Sequence, residues 1–175
     1  MSKVNEGLEK INESIVRHVL DYLKSGVFKN KTANAYMIAY SEVHKLADDE
    51  NESSKKLFEY YQTTIQKYLK DAQQSMIKER GEKLIELFIR ENNQSKILIH
   101  WMRKVFTYLD KFYTKNANIG TLCANGLKIY FNEMFTPLKK LLFEAVDKMI
   151  EADRNCEVVD RTKIKNLLRV KKILI

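Results

Sequence analysis

An all-α fold of long helices is predicted for this 175-residue chain by three observations. Apolar residues recur at spacings of three and four through almost every segment, the period of a helix with one buried face. Only 5 Gly and 1 Pro are present, too few for the turns of an all-β or doubly wound α/β fold. Hydrophobic residues supply 45% of the chain and charged residues 31%, which excludes a disordered tail and a membrane-embedded protein. The length fits one domain or two small ones. Folding should bury roughly 70% of the surface of the unfolded chain, enough for one sizeable core.

The first segment places Leu8, Ile11, Ile15, Val19 and Tyr22 on one face and ends at Ser25-Gly26. A second starts near Asn30 or Thr32, both good N-cap types, and runs through Tyr36, Tyr40, Val43 and Ala47 to the polar stretch 48–51. The third begins near Ser53 and carries Leu57, Tyr60, Tyr61, Ile65, Tyr68 and Leu69. A fourth holds Leu84, Leu87 and Phe88, with Gly81 near its start. Asn92-Asn93-Gln94-Ser95 offers a break or kink, with Ser95 as cap of the next segment. That fifth segment is the most apolar, with Ile97, Leu98, Trp101, Met102, Val105, Phe106, Leu109 and Phe112, and ends at 116–118. Residues 122–135 form a sixth. Thr136-Pro137 signals a restart, a cap followed by proline at the first helical position. The seventh then carries Leu138, Leu141, Leu142, Ala145, Val146, Met149 and Ile150. A polar link containing Val158-Val159 leads to a last helical pattern with Ile164, Leu167 and Leu168. It runs into the apolar end Ile173-Leu174-Ile175 without a stop signal, as expected for a fragment of a longer helical protein.

Net charge is +8, and about half of the excess lies between Glu157 and Ile175. No long basic stripe lies elsewhere, so the distribution argues against nucleic acid and for a solvated helix face. Cys123 and Cys156 stand far apart without a CxxC partner, giving neither a zinc site nor a disulfide framework. That usage fits a reducing cytosol or nucleus. No apolar run approaches the roughly 18 residues of a membrane span, and the polar N-terminus has no secretory pattern.

Catalytic constellations do not assemble. His18, His44 and His100 fall in three different segments without metal spacing, and no phosphate-binding or nucleophile-elbow motif occurs. Carboxylates mostly sit beside Lys or Arg, as in Lys78-Glu79-Arg80, the pattern of a solvated surface. An enzyme stays open at this point, but nothing in these residues supports one, and no cofactor or metal site stands out. What stands out is aromatic. Tyr36, Tyr40 and His44 follow each other at i, i+4 and i+8 with Met37 beside them, and Tyr108 and Lys111 share a face at i and i+3. Core packing and a protein-binding face both fit such a stripe.

These residues carry a family resemblance. Tyr36-Met37-Ile38-Ala39-Tyr40-Ser41-Glu42-Val43-His44 resembles the second helix of the cullin N-terminal domain, Tyr-Met-x-Leu-Tyr-Thr-x-Val-Tyr in one branch. Tyr108-Leu109-Asp110-Lys111-Phe112-Tyr113 is similar to the cullin segment Tyr-Leu-Asp-Arg-x-Tyr. Asp153-Arg154-Asn155-Cys156-Glu157-Val158-Val159-Asp160-Arg161 is similar to Glu-Arg-x-Gly-Glu-x-Val-Asp-Arg. The three motifs stand in the family's order, and the resemblance covers roughly residues 5–175. Four departures mark a divergent member: His44 for an aromatic, Ala39 for leucine, Lys111 for arginine and Cys156 for glycine. Lysine lacks arginine's planar fork, so a specific hydrogen bond is not carried over to Lys111. Cysteine at 156 implies a turn that does not demand a positive φ.

The resemblance implies an elongated helical bundle or solenoid of cullin-repeat type, with about residues 1–115 as the first repeat and about 119–175 as the start of the second. It implies a non-catalytic scaffold of a multi-subunit cullin–RING ubiquitin ligase in cytoplasm and nucleus. The second and fifth helices of the first repeat would bind a BTB/POZ-fold adaptor, whether Skp-type, elongin C-like or a BTB protein. Tyr36, Met37, Tyr40 and His44 would supply one half of that face, Tyr108 and Lys111 the other. A RING-box protein would bind through a further C-terminal part. Two other readings stay open: a helical subunit of a tethering or other assembly complex, and a basic binder of nucleic acid or anionic lipid.

Overall fold

A computed structural model of the chain describes residues 3–27, 32–49 and 51–173, without the side chains of 32, 48, 49, 51 and 169–173. The alternative helix start at Asn30 and the apolar side chains of the extreme C-terminus lie outside the described residues. Helix follows helix, and no strand occurs among the described residues. Helices α1 (Lys3–Ile11) and α2 (Arg17–Ser25) are joined through a π-helical turn, Asn12–Val16. There follow α3 (Thr32–Asp49), α4 (Asn51–Met76), α5 (Gly81–Val105), α6 (Thr107–Lys111), α7 (Tyr113–Asn116) and α8 (Leu122–Tyr130). A second π-helical turn, Phe131–Phe135, leads into α9 (Thr136–Arg154), and α10 (Arg161–Ile173) comes last. The chain forms two compact units, Met1–Ile65 with Ile97–Lys128, and Gln66–Lys96 with Ile129–Ile175.

In the first unit the spacing of four along the N-terminal segment becomes a buried stripe, Ile11, Ile15, Val19 and Leu23. Gly26 closes that segment in the left-handed region (φ 73°), its N–H donating to the Tyr22 carbonyl at 2.7 Å. Helix α3 turns Ala39, Val43 and Leu46 inward against α1 and the first π turn. From α4 come Leu57, Tyr61 and Ile65, again at i, i+4 and i+8, and from α5 Leu98, Met102 and Val105. Burying each such side chain contributes about 1.5–3 kcal/mol before entropy is subtracted. The Tyr61 hydroxyl, enclosed in this core, donates to the Leu122 carbonyl at 2.6 Å. Its burial raises its pKa well above the ordinary phenol range.

The second unit packs Leu69 and Met76 with Leu84, Phe88, Met134, Leu138, Leu142 and Leu167. Two of its tyrosine hydroxyls are paired within it. The Tyr68 hydroxyl donates to Glu91 Oε2 at 3.0 Å, and the buried Tyr130 hydroxyl donates to Asn92 Oδ1 at 2.9 Å. Lys163 of α10 bridges Glu82 and Glu86 of α5.

Four local expectations are corrected. Helix α5 runs unbroken through 92–95, so Ser95 caps nothing: its hydroxyl donates back to the Glu91 carbonyl at 2.6 Å, while Asn92 is occupied by Tyr130. The outside partner of Asn92 draws its side chain away from the helix backbone, and the i−4 bond of Ser95 shares a helical carbonyl without ending the helix. The break falls later, inside the fifth segment. Phe106 leaves the helical region (φ −93°, ψ 16°) and separates α5 from the short α6 and α7. Thr136-Pro137 is no restart either, since Phe135 and Thr136 are both helical and no side-chain cap forms. Proline cannot donate to the carbonyl four residues back and crowds it, and the preceding π turn widens the backbone there, with Thr136 N–H reaching the Phe131 carbonyl. Finally, Cys156 does adopt a positive φ, 60°. Its N–H donates to the Asp153 carbonyl at 3.2 Å and that of Glu157 to Ala152 at 3.0 Å, a Schellman closure of α9. The turn keeps its glycine-type geometry, and the two bonds offset the roughly 1–2 kcal/mol that a Cβ costs in that conformation.

Candidate protein-binding face on α3 and α6

Each residue of a helix turns the chain by about 100°, so the buried stripe of α3 fixes where its other side chains point. Tyr36 and Tyr40 flank the stripe and are half-buried; Met37 (56% exposed) and His44 lie further round on the same side, in solvent. The Tyr36 and Tyr40 rings are 5.9 Å apart, inclined at 30°. The aromatic stripe read from the sequence is therefore neither core nor free surface but the shoulder between them.

Helix α6 meets this shoulder. The Tyr108 ring packs edge-on to His44 at 4.4 Å between centroids. Position 44, where the family has an aromatic, thus carries an imidazole in aromatic contact with α6. Two devices hold α6 there. The Phe106 break redirects the chain after α5, and Leu109 is fully buried beneath. The Asp110 carboxylate accepts the Leu122 N–H at 2.7 Å and the buried Thr114 hydroxyl at 3.3 Å, which ties the start of α8 to α6. Lys111, one turn beyond Tyr108, is exposed.

The six residues singled out by the sequence thus lie in the first unit, with His44 and Tyr108 as the joint between the two helices. One neighbour was assigned differently. Phe112, read as part of an apolar segment, is 51% exposed, and its ring lies 4.6 Å from Tyr108. Its position four residues after Tyr108 is the signal that would have placed it on the same stripe. Ile38 is just as exposed (56%), but it points about 160° away from Tyr40 and is no part of the face.

Among the described residues, no group of three His, Cys, Asp or Glu side chains stands close enough to hold a metal ion. No helix among them is long and apolar enough to cross a membrane. Residues 7–174 match the family model described as the cullin alpha solenoid domain. Cullin-2 of Arabidopsis thaliana is 29% identical over 137 residues, which are 77% of this chain and 18% of that protein. Cullin-1 of Oryza sativa subsp. japonica is 24% identical over 139 residues, again 77% of this chain and 18% of that protein. A putative cullin-like protein 2 of Arabidopsis thaliana is 23% identical over 134 residues, 75% of this chain and 36% of that protein. The chain spans well under half the length of these relatives. The helical architecture, the three ordered motifs and a domain match over nearly the whole sequence lead to one conclusion: the chain belongs to the cullin family, as part of its alpha solenoid.

Proposed function

We propose that this chain is the adaptor-binding N-terminal region of a non-catalytic scaffold in a multi-subunit cullin–RING ubiquitin ligase. Its face on α3 and α6 docks a BTB/POZ-fold adaptor of Skp, elongin C or BTB type, which carries the substrate receptor. The observation that supports this reading is the half-exposed shoulder of Tyr36, Met37, Tyr40 and His44, joined to Tyr108 and flanked by Lys111. Tyr and Met are enriched in protein interfaces because they bury much area for little entropy, and Tyr is enriched among energetic anchors. About residues 1–115 belong to the first cullin repeat and about 119–175 to the second. A RING-box protein joins through the C-terminal part of the full-length scaffold, which works in cytoplasm and nucleus. Stacked helices then act as a stiff spacer. They hold substrate lysine and ubiquitin thioester within reach of each other and so raise their effective concentration.

Tyr40→Ala tests the docking face. The expected loss is ~2 kcal/mol, roughly thirtyfold in Kd for a Skp-type adaptor, with an unchanged far-UV circular dichroism spectrum. Wild-type affinity in a folded variant would remove Tyr40 from the face, and an unfolded variant would make it a core residue.

A further inference from the structure

Beyond the residues already assigned to docking, Phe112 and Lys115 continue the line of Tyr108 and Lys111 along α6 and α7. Tyr108, Lys111, Phe112 and Lys115 follow at i, i+3, i+4 and i+7, the repeat that brings side chains to one helical face. The backbone stays close to helical across the joint, with Phe112 N–H donating to the Tyr108 carbonyl at 3.3 Å and Asn116 N–H to Phe112 at 3.1 Å. This arrangement reverses the usual logic of an amphipathic helix. The phenyl ring is offered to solvent while the neighbouring Thr114 and Leu109 are buried.

The charged residues at i−1 and i+3 from that ring are both lysines. Lys111 and Lys115 are exposed, and neither is in an ion pair among the described residues. The nearby carboxylates are already engaged. Asp110 accepts the Leu122 N–H and the Thr114 hydroxyl, and Glu52, which shares a shallow cleft with Lys55, Tyr113 and Asn116, is paired with Lys56 at 2.9 Å. An exposed ring beside two lysines that hold no ion pair fits a partner that presents an apolar recess rimmed by carboxylates.

Resting on the docking reading above, we infer that Phe112, flanked by Lys111 and Lys115, is a further anchor of the adaptor interface and selects an adaptor whose facing surface is acidic. Phe112 continues the aromatic line from His44 and Tyr108, so adaptor seated on α3 and Tyr108 reaches it without a second site. The lysines act mainly on encounter, where opposite charge raises the association rate in a salt-dependent way.

The test titrates the chain with a purified Skp-type BTB/POZ adaptor, following association and dissociation at low and high salt. Phe112→Ala, Lys111→Glu with Lys115→Glu, and Tyr40→Ala are compared with wild type. Phe112→Ala is expected to weaken binding about tenfold or more, chiefly through faster dissociation. The double charge reversal is expected to slow association and flatten its salt dependence. Wild-type binding by Phe112→Ala, alongside failure of Tyr40→Ala, overturns this inference and leaves the docking reading in place. No binding by wild type removes the docking reading itself. Displacement of the adaptor by duplex DNA, abolished by the lysine reversals, would assign the basic rim to nucleic acid and overturn the inference as well.

Discussion

Gly126 of α8 faces Tyr61 so closely that substitution there can be worked through in numbers. An added Cβ would sit 2.7 Å from Tyr61 Oη and 3.0 Å from Ile99 Cγ2. Tyr61 cannot swing aside cheaply, because it is fully buried and its hydroxyl holds the Leu122 carbonyl at 2.6 Å. Overpacking of this kind costs about 1–3 kcal/mol, against about 1 kcal/mol that alanine gains over glycine in a helix. Gly126→Ala should therefore destabilise the chain by ~1 kcal/mol, although by helix propensity alone it should stabilise. Tyr61→Phe loses a buried hydrogen bond, about 1 kcal/mol, and also the atom that the new methyl would strike. The double variant should then be more stable than the sum of the single effects by about 1 kcal/mol. Urea unfolding followed by circular dichroism reads all four corners, provided the m-value is constant. Additivity within about 0.3–0.5 kcal/mol, or a Gly126→Ala chain more stable than wild type, would refute the steric argument.

Two further predictions concern stability. Cys156→Gly removes the Cβ from a left-handed position and should raise stability by about 0.5–1 kcal/mol; an unchanged or lower urea midpoint would show that the Schellman turn carries no strain. Burial raises the hydroxyl pKa values of Tyr61 and Tyr130, and for Tyr68 the Glu91 carboxylate adds to burial. Their neutral forms thus favour the folded state. That stabilisation is complete below the unfolded value of about 10 and is lost as pH rises through the raised folded values. Tyr130→Phe should accordingly be less stable near pH 7 but lose stability less steeply above about pH 10, measured by urea midpoints; equal steepness would sink the account.

Much of the architecture was readable because helix period and core face are the same signal. Ile11, Ile15 and Val19, or Leu57, Tyr61 and Ile65, are recognisable as buried from spacing alone, and each is buried. The reading failed at the punctuation. Asn92 and Ser95 look like helix breakers until Tyr130, 38 residues away, and the Glu91 carbonyl take up their hydrogen bonds. Pro137 looks like a first residue until a π turn makes room for it inside a continuous helical run. Phe112 looks like core because spacing gives side chains a common face without saying whether that face meets another helix or water.

For the binding face the division is similar. The motifs that place this chain among the cullins, and the order in which Tyr36, Met37, Tyr40, His44, Tyr108 and Lys111 recur along two helices, follow from local residue identity. Tertiary packing alone decided that His44 meets Tyr108, that the paired tyrosines stop at the shoulder of the core, and that Phe112 is exposed. The physical reason is that contacts between helices depend on how the chain turns after Phe106 and on what Asp110 ties down at Leu122, and neither is encoded in the period of a single helix.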